Sequence, residues 1–96
     1  MEKLLTISVA AYNVEKYIEE CLVSFINEAF INNIEVLIIN DGSTDNTACI
    51  SARYEEKYPG IFRLVNKKNG GHGSAVNCGI SEAKGRYFKT VDGDDW

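Results

Sequence analysis

A cluster of acidic residues follows the last strand-like run of the sequence. Asp92, Asp94 and Asp95 stand within four positions, directly after the stretch 87–91. Carboxylates this close raise one another's pKa unless a cation neutralises them. With no cysteine or histidine nearby, they suit a hard cation, Mn2+ or Mg2+, which also takes waters and a substrate phosphate. The alternative is a solvated turn or helix cap, and the position directly after a strand favours the metal.

A second carboxylate, Asp41, follows the apolar run IEVLII and precedes Gly42 and Ser43. In one interpretation it accepts a hydrogen bond from a base N–H or a ribose hydroxyl, as acidic residues in nucleotide-binding folds do. In the other it only forms an Asx turn beside Gly42. The residues alone leave both open. We expect Ser43 to cap the helix that follows.

The stretch 67–73, KKNGGHG, is a glycine-rich loop. It contains neither GxxxxGK[ST] nor GxGxxG, so it is not a Walker A loop or a dinucleotide fingerprint. Its glycines would let the backbone approach a ligand closely, or they make a turn. His72 within it is a candidate general base, although an ordinary loop role is the interpretation that we prefer.

The alternation of apolar runs and helical periodicity predicts the elements that position these residues. Strands are predicted at 4–11, 34–39, 61–66 and 86–91, and helices at 14–29, from the turn after 45 to about 58, and at 75–83. Asn13 is placed to cap the first helix, and Gly85 to end the third. The order βαβαβαβ predicts an α/β fold, a Rossmann-like parallel sheet with right-handed connections and helices on its faces.

Each predicted strand ends in a polar or flexible stretch. These stretches are Tyr12–Asn13, Asp41–Ser43, Asn69–Gly73 and Asp92–Asp95. Ligands of open parallel sheets bind at the carboxyl ends of the strands, so we predict that the four stretches form one site. The sheet is small and its last strand has no following helix. Residues 1–96 are therefore interpreted as the opening half of a larger domain.

Composition narrows the class of protein further. A chain of 96 residues fits one domain or part of one. Its net charge of −4 and scattered lysines and arginines argue against nucleic-acid binding. Three cysteines without a CxxC pair, Cys21, Cys49 and Cys78, favour buried thiols in a reducing cytoplasm over a disulfide or a zinc site. No run approaches the roughly 20 apolar residues of a membrane span. We expect a cytoplasmic protein that reaches the cytoplasmic face of a membrane only through other parts of a parent.

Taken together, four stretches resemble the N-terminal half of a family-two glycosyltransferase with the GT-A fold. They are ISVAAYNVEKYIEECLVSFIN, IEVLIINDGSTDNT, NGGHGSAVNCGISEAKGRYF and VDGDDW. They follow the family's order and spacing across nearly the whole chain. This combination is specific to the family, whereas an isolated DGS or DxD motif would not be. The resemblance implies a nucleotide-sugar-binding half-domain, truncated after the DxD-type motif. Its parent would transfer a sugar from a nucleotide-diphosphate sugar, with UDP favoured, to an acceptor hydroxyl on a glycan or lipid carrier.

The resemblance also implies roles for individual residues. The nucleotide-binding positions would be Ala10, Tyr12, Asn13, Asp41, Gly42, Ser43, Asn69, Gly70 and Asp94. Asp41 would accept the uracil N3–H. Asp95 would bind the metal, Mn2+ or Mg2+, with Asp94 nearer the ribose and diphosphate and Asp92 supporting. Typical members invert the anomeric carbon, and the carboxylate base that this requires is expected beyond Trp96.

Three positions depart from the family's pattern. Asn40 replaces the first acid of the usual Asp-Asp-Gly-Ser, Ala10 stands where Pro or Thr is common, and Val76 stands where Arg is common. Glu35, by contrast, matches a commonly acidic position. The missing half of the domain would leave apolar surface uncovered, so self-association is also expected.

Two other classes of protein are alternatives. A Mg2+-dependent nucleotidyltransferase-like domain would have a basic, glycine-rich loop after the first strand, but Tyr12-Asn13-Val14-Glu15 holds that place. A non-catalytic receiver-like module would have acids after the first strand, and Ala10-Ala11-Tyr12 offers none.

Overall fold

A computed structural model describes residues 4–26 and 33–92, apart from the side chains of His72 and Asp92. Within these residues, four strands alternate with three helices. The strands are β1 (Leu5–Ala11), β2 (Ile34–Asp41), β3 (Phe62–Lys67) and β4 (Tyr87–Asp92), and the helices are α1 (Ile18–Ile26), α2 (Thr47–Lys57) and α3 (His72–Glu82). The predicted βαβαβαβ order and the α/β fold class are confirmed.

The strands of the described sheet are ordered β3-β2-β1-β4, and all neighbours are parallel. The chain moves outward from β1 to β3 and then crosses back to place β4 on the other side of β1. Right-handed connections therefore place α1 and α2 on one face and α3 on the other. The direction of winding changes between β1 and β4, which is where open α/β sheets have their ligand crevice.

Alternating residues of the central strands build a core on each face of the sheet. One buried cluster contains Ile7, Val9, Ala11, Ile18, Cys21, Leu22, Ile34, Val36, Ile38 and Phe62, with Ile50 and Tyr54 of α2 packed against it. On the other face, Leu37 and Ile39 pack with Ala75 of α3. Successive strand residues point to opposite faces, so β2 is apolar from Val36 to Ile39 because both of its faces are covered.

Two further expectations concern the cysteines and membrane-spanning segments. The prediction of buried thiols is confirmed for Cys21 and wrong for Cys49, whose side chain is exposed because it lies on the outer face of α2. In the ranges 4–26 and 33–92, no helix is both long and apolar enough to cross a bilayer.

The first helix begins later than the sequence pattern predicts. α1 starts at Ile18, while residues 14–17 form a turn in which the Ile18 N–H donates to the Val14 carbonyl at 2.8 Å. The prediction was wrong because Val14 packs against the core, as a helical residue would, without being helical. The end of the predicted helix, residues 27–29, lies outside the described residues. Asn13 has a φ of 51° and does not cap α1.

The side chain of Asn13 instead connects the loop after β1 to the loop after β2. Its Oδ1 accepts a hydrogen bond from the Thr44 N–H at 2.7 Å, and its own N–H donates to Ser43 Oγ at 3.0 Å. Asparagine tolerates this left-handed conformation better than most residues. Ser43 therefore contacts the neighbouring loop, and the prediction that it caps α2 is wrong.

Asp45 completes this connection, which we name the inter-loop clasp (residues 13–15 and 43–47). Its Oδ1 accepts hydrogen bonds from the N–H and hydroxyl of Thr47 at 2.9 and 2.6 Å, and its Oδ2 accepts one from the Glu15 N–H at 3.2 Å. Burial raises the pKa of the Asp45 carboxyl, but the hydrogen bonds from Thr47 and Glu15 outweigh it. The pKa is therefore lowered from its ordinary value.

A second polar network lies at the opposite end of the sheet, around the buried Glu35 near the start of β2. Glu35 Oε2 accepts hydrogen bonds from the Thr6 hydroxyl at 2.9 Å and the Lys84 N–H at 3.0 Å, and Oε1 lies 3.4 Å from Arg63 Nη2. Glu35 thus connects three strands and the turn before β4. Its acidity serves the fold rather than the predicted site.

Gly85 does not end α3 as a left-handed C-cap. Ala83 holds the C-cap position, and Gly85 is absent from the glycines with positive φ. A β-carbon at Gly85 would instead lie 2.5 Å from the backbone nitrogen of Thr6. The Gly85 N–H also donates to Thr6 Oγ1 at 2.7 Å. The residue is a glycine because two backbone segments meet there.

We therefore expect Gly85→Ala to lower the free energy of unfolding by roughly 1–3 kcal/mol, the usual range for an overpacked site. Gly73→Ala is the matched control, because a β-carbon at Gly73 would meet nothing within 4 Å. It should change stability by less than about 1 kcal/mol. Urea unfolding followed by circular dichroism measures both, and equal effects would contradict the proposed close contact.

The lowered pKa of Asp45 predicts a pH dependence of the inter-loop clasp. Its stabilising contribution is present above the unfolded-state pKa of about 3.9 and is lost as the pH falls through the lower folded-state value. Asp45→Asn should reduce stability by about 1 kcal/mol near pH 7. That difference should shrink in acid. Urea midpoints between pH 7 and pH 3 test this, with Glu56→Gln on the exposed side of α2 as control; a difference independent of pH would refute it.

Candidate functional site

Pairing between the strands determines which residues share the carboxyl-end rim of the sheet. Ala10 of β1 pairs with Asp92 of β4, and Asp41 of β2 pairs with Lys67 of β3. The loops after β1, β2 and β3 and the end of β4 therefore lie along one rim. The structure brings together the four stretches that the sequence predicted to meet, as far as Asp92.

Among the acids of this rim whose side chains the structure describes, Asp41 is the most buried, with 4% of its surface exposed. Its Oδ1 accepts hydrogen bonds from Lys67 Nζ at 2.7 Å and the Gly70 N–H at 2.9 Å, and its Oδ2 accepts one from the Gly71 N–H at 2.9 Å. The bond from Lys67 lowers the pKa of the carboxyl more than burial raises it, and the two glycine amides lower it further. Asp41 is therefore a fixed carboxylate at neutral pH.

The glycine-rich loop lies against the start of the loop after β2. Asn69 Nδ2 donates to the Asp41 carbonyl at 2.9 Å. A β-carbon at Gly42 would lie 2.8 Å from the Asn69 backbone nitrogen, and the φ of Gly42 is 72°. Gly42 is therefore restricted to glycine by both space and conformation. Gly70 and Gly71 approach the Asp41 carboxylate through their backbone amides, so this loop does more than turn the chain.

Asn40 stands where the family usually has an acid, and its side-chain amide makes two hydrogen bonds that hold the fold. Its Nδ2 donates to Asn66 Oδ1 at 2.8 Å, and its Oδ1 accepts from the Ser43 N–H at 3.1 Å. A carboxylate accepts hydrogen bonds only, so an aspartate could not make both. The amide joins β3 to the loop after β2.

The other predicted nucleotide-binding residues at the ends of β1 and β2 line the same rim. Ala10 is half-buried beside Asp92, and Asn13 and Ser43 belong to the inter-loop clasp. Tyr12 is 51% exposed and follows directly after Ala11, which pairs with Asn40, the residue before Asp41.

The proposed metal ligands fall at the limit of the described structure. The backbone of Asp92 ends β4 at the rim, whereas Asp94 and Asp95 lie outside the described residues. Within the described part of the chain, no three His, Cys, Asp or Glu residues lie close enough to hold a metal. For His72, only the backbone position at the start of α3 is described.

Lys67 is the site residue that the sequence argument did not single out. Its side chain is 17% exposed and forms an ion pair with Asp41. The sequence did contain a signal for this ion pair, because Lys67 follows one predicted strand and Asp41 follows another. Detecting it required knowing that the two strands are adjacent and in register.

Comparisons with known proteins agree with this geometry. The family model described as glycosyl transferase family 2 matches residues 6–96. An uncharacterised glycosyltransferase of Bacillus subtilis, EpsJ, is 41% identical over 96 residues, which are the whole of this chain and 27% of that protein. The chondroitin synthase of Pasteurella multocida is 41% identical over 93 residues, which are 97% of this chain and 9% of that protein.

Solved structures show the same architecture. S. aureus TarS, in a complex with UDP-GlcNAc, matches 95% of this chain and 26% of its own with a TM-score of 0.84 and 33% identity. A mannosyltransferase from Pyrobaculum calidifontis, in complex with GDP-Man and Mn2+, matches 98% of this chain and 28% of its own with a TM-score of 0.87 and 27% identity. The sheet is thus the N-terminal part of a GT-A fold.

The chain spans only about a quarter, or less, of the length of these relatives. The part that it does span is matched almost completely, in sequence and in backbone. The 96 residues belong to glycosyl transferase family 2.

Proposed function

We propose that this chain binds the nucleotide-sugar donor of a glycosyltransferase whose parent transfers the sugar to an acceptor hydroxyl. The fixed, buried carboxylate of Asp41 at the rim of the sheet carries this proposal. A carboxylate that stays charged in a buried position is suited to recognise a hydrogen-bond donor on a ligand. Family membership favours this function over a nucleotidyltransferase-like domain or a receiver-like module.

The base of the nucleotide is proposed to lie between Asp41 and Tyr12. A ring N–H beside a carbonyl, present in uracil and guanine, donates to the carboxylate, and the exposed Tyr12 provides an apolar surface for the flat base. UDP is the nucleotide that we favour. TarS has been solved with UDP-GlcNAc, and the mannosyltransferase with GDP-Man, and both bases carry such an N–H.

The rest of the nucleotide would extend along the rim toward β4. Ala10 and Gly42 allow close approach, because these positions carry a small side chain or none. The side chains of Asn13 and Ser43 lie in the loops along this path. Asn69 and Gly70 follow β3, on the far side of β2 from β4, and are proposed to border the base beside Asp41. Asp94 is proposed to contact the ribose and diphosphate.

The three acids after β4 are proposed to hold the divalent cation, Mn2+ or Mg2+. Their donor set fits, since both ions prefer carboxylate oxygens. Asp95 would be the principal ligand, with Asp94 and Asp92 supporting. When bound, such a cation neutralises charge on the leaving diphosphate. The mannosyltransferase that shares this fold was solved with Mn2+.

Transfer itself needs groups beyond the donor site. We propose an inverting displacement in which a carboxylate from the part of the parent after Trp96 deprotonates the acceptor hydroxyl of a glycan or lipid carrier. The parent is proposed to act in the cytoplasm or at the cytoplasmic face of a membrane.

Alone, the chain exposes Ile80, Tyr87 and Phe88 around β4, which supports self-association through this side.

Thermal denaturation with added ligands tests the donor site. UDP with Mn2+ should raise the melting temperature more than ATP with Mn2+, and Asp41→Asn should weaken UDP binding about tenfold or more, because a charge-assisted acceptor is lost. The variant's melting temperature without ligand serves as the stability control. A preference for ATP would favour the nucleotidyltransferase class, and a response to metal alone would favour the receiver-like class.

We also expect the 96-residue chain to bind nucleotide only weakly and not to catalyse transfer, because the proposed base and most acceptor contacts come from the rest of the parent. Incubation with UDP-sugars, Mn2+ and candidate acceptors, followed by measurement of released UDP, checks this. The full parent is the positive control. Transfer by the 96 residues alone would overturn the assignment of the base.

A further inference from the structure

We infer that Lys67 is a specificity-determining residue that restricts the proposed site to bases with a ring N–H beside a carbonyl, uracil or guanine. The inference rests on the proposed function and deepens it. It comes from the paired hydrogen-bonding groups of Lys67 and Asp41, two residues that end adjacent strands and face the same rim.

The Asp41 carboxylate has unequal oxygens. Each carboxylate oxygen offers about two acceptor positions. Oδ1 uses both, for Lys67 Nζ and the Gly70 N–H, whereas Oδ2 has the Gly71 N–H as its partner among the described residues. One acceptor position, on Oδ2, therefore remains for a ligand.

The Lys67 ammonium is held in a complementary way. Two of its three N–H groups donate at 2.7 Å, to Asp41 Oδ1 and to the carbonyl of Lys68. Within the described part of the chain, the third N–H group has no hydrogen-bond partner. Gly70 adds a close boundary, since a β-carbon there would lie 3.1 Å from Nζ. With its side chain only 17% exposed, Lys67 presents one positioned donor beside the open acceptor of Asp41.

The acceptor on Asp41 and the donor on Lys67 match a base edge that carries a ring N–H beside a carbonyl. Uracil has a ring N–H next to a carbonyl, and guanine has the same pair. Cytosine and adenine, held with the ring in the same place, present a ring acceptor to the carboxylate and an exocyclic amine to the ammonium. Like groups would then face each other at both positions. A site built around buried polar groups rejects a ligand that leaves them unpaired.

Affinities of UDP and CDP for the 96-residue chain, measured by NMR titration at equal Mn2+, test the inference. The native chain should prefer UDP, and Lys67→Met should reduce the UDP-to-CDP affinity ratio about tenfold, the scale of one charge-assisted hydrogen bond. Lys68→Met is the matched control, because it removes the same charge from an exposed neighbour in the same loop. Its ratio should be unchanged. Lys67→Arg should restore most of the preference.

A purely structural role for Lys67 gives a different result. If Lys67 only held the glycine-rich loop to Asp41, Lys67→Met would weaken UDP and CDP equally, and an unchanged ratio would overturn the inference while leaving the donor site intact. A native chain that binds neither nucleotide would instead overturn the proposed function, and the inference with it.

A second measurement does not depend on the folding of a variant. In the native chain, UDP is compared with its 2-thio and 4-thio analogues, whose thiocarbonyls accept hydrogen bonds more weakly. We expect the 4-thio analogue to bind severalfold more weakly, because the inference places Lys67 at the C4 carbonyl, which cytosine replaces with an amine. A 4-thio analogue that binds as tightly as UDP, or a loss seen only with the 2-thio analogue, would contradict the contact.

Discussion

The Asp41 carboxylate occupies a position where its charge must be compensated, because an unpaired buried carboxylate costs several kcal/mol. The compensation comes from one short segment, through the Lys67 ammonium and the amides of Gly70 and Gly71. The same three bonds fix the conformation of the glycine-rich loop. The bonds that compensate the Asp41 charge therefore also hold the glycine-rich loop in place. Asn69 of this loop in turn donates to the Asp41 carbonyl and packs against Gly42.

Two polar systems hold the loop after β2 from opposite sides. The inter-loop clasp connects it to the loop after β1, and Asn40 connects it through Asn66 to β3. Both systems use side-chain groups to satisfy backbone N–H groups that a loop would otherwise leave to water. The loop after β2 is therefore positioned before any ligand arrives, which lowers the entropy lost on binding.

The sequence predicted the elements and their order because periodicity reports burial directly, and β2 is the clearest case. It failed where a residue's partner is distant in the chain. Asn13 and Ser43 have the composition of helix caps, but each bonds to the other's loop, 30 positions away. Gly85 resembles a C-cap glycine, and only the approach of Thr6 reveals its actual constraint. Lys67 lay within a motif already noticed, yet its role required the pairing of β2 with β3.

The two buried acids of β2 bind the segments that flank α3, one at each end of the helix. Asp41, at the carboxyl end of the strand, accepts the Gly70 and Gly71 amides just before the helix. Glu35, at the other end, accepts the Lys84 amide just after it. Six residues of strand rise about 20 Å, and an 11-residue helix about 16 Å, so the helix and its flanks fit between the two acids. Because α3 is fixed at both ends to the strand that carries Asp41, the rim keeps its geometry even though α3 packs through small residues.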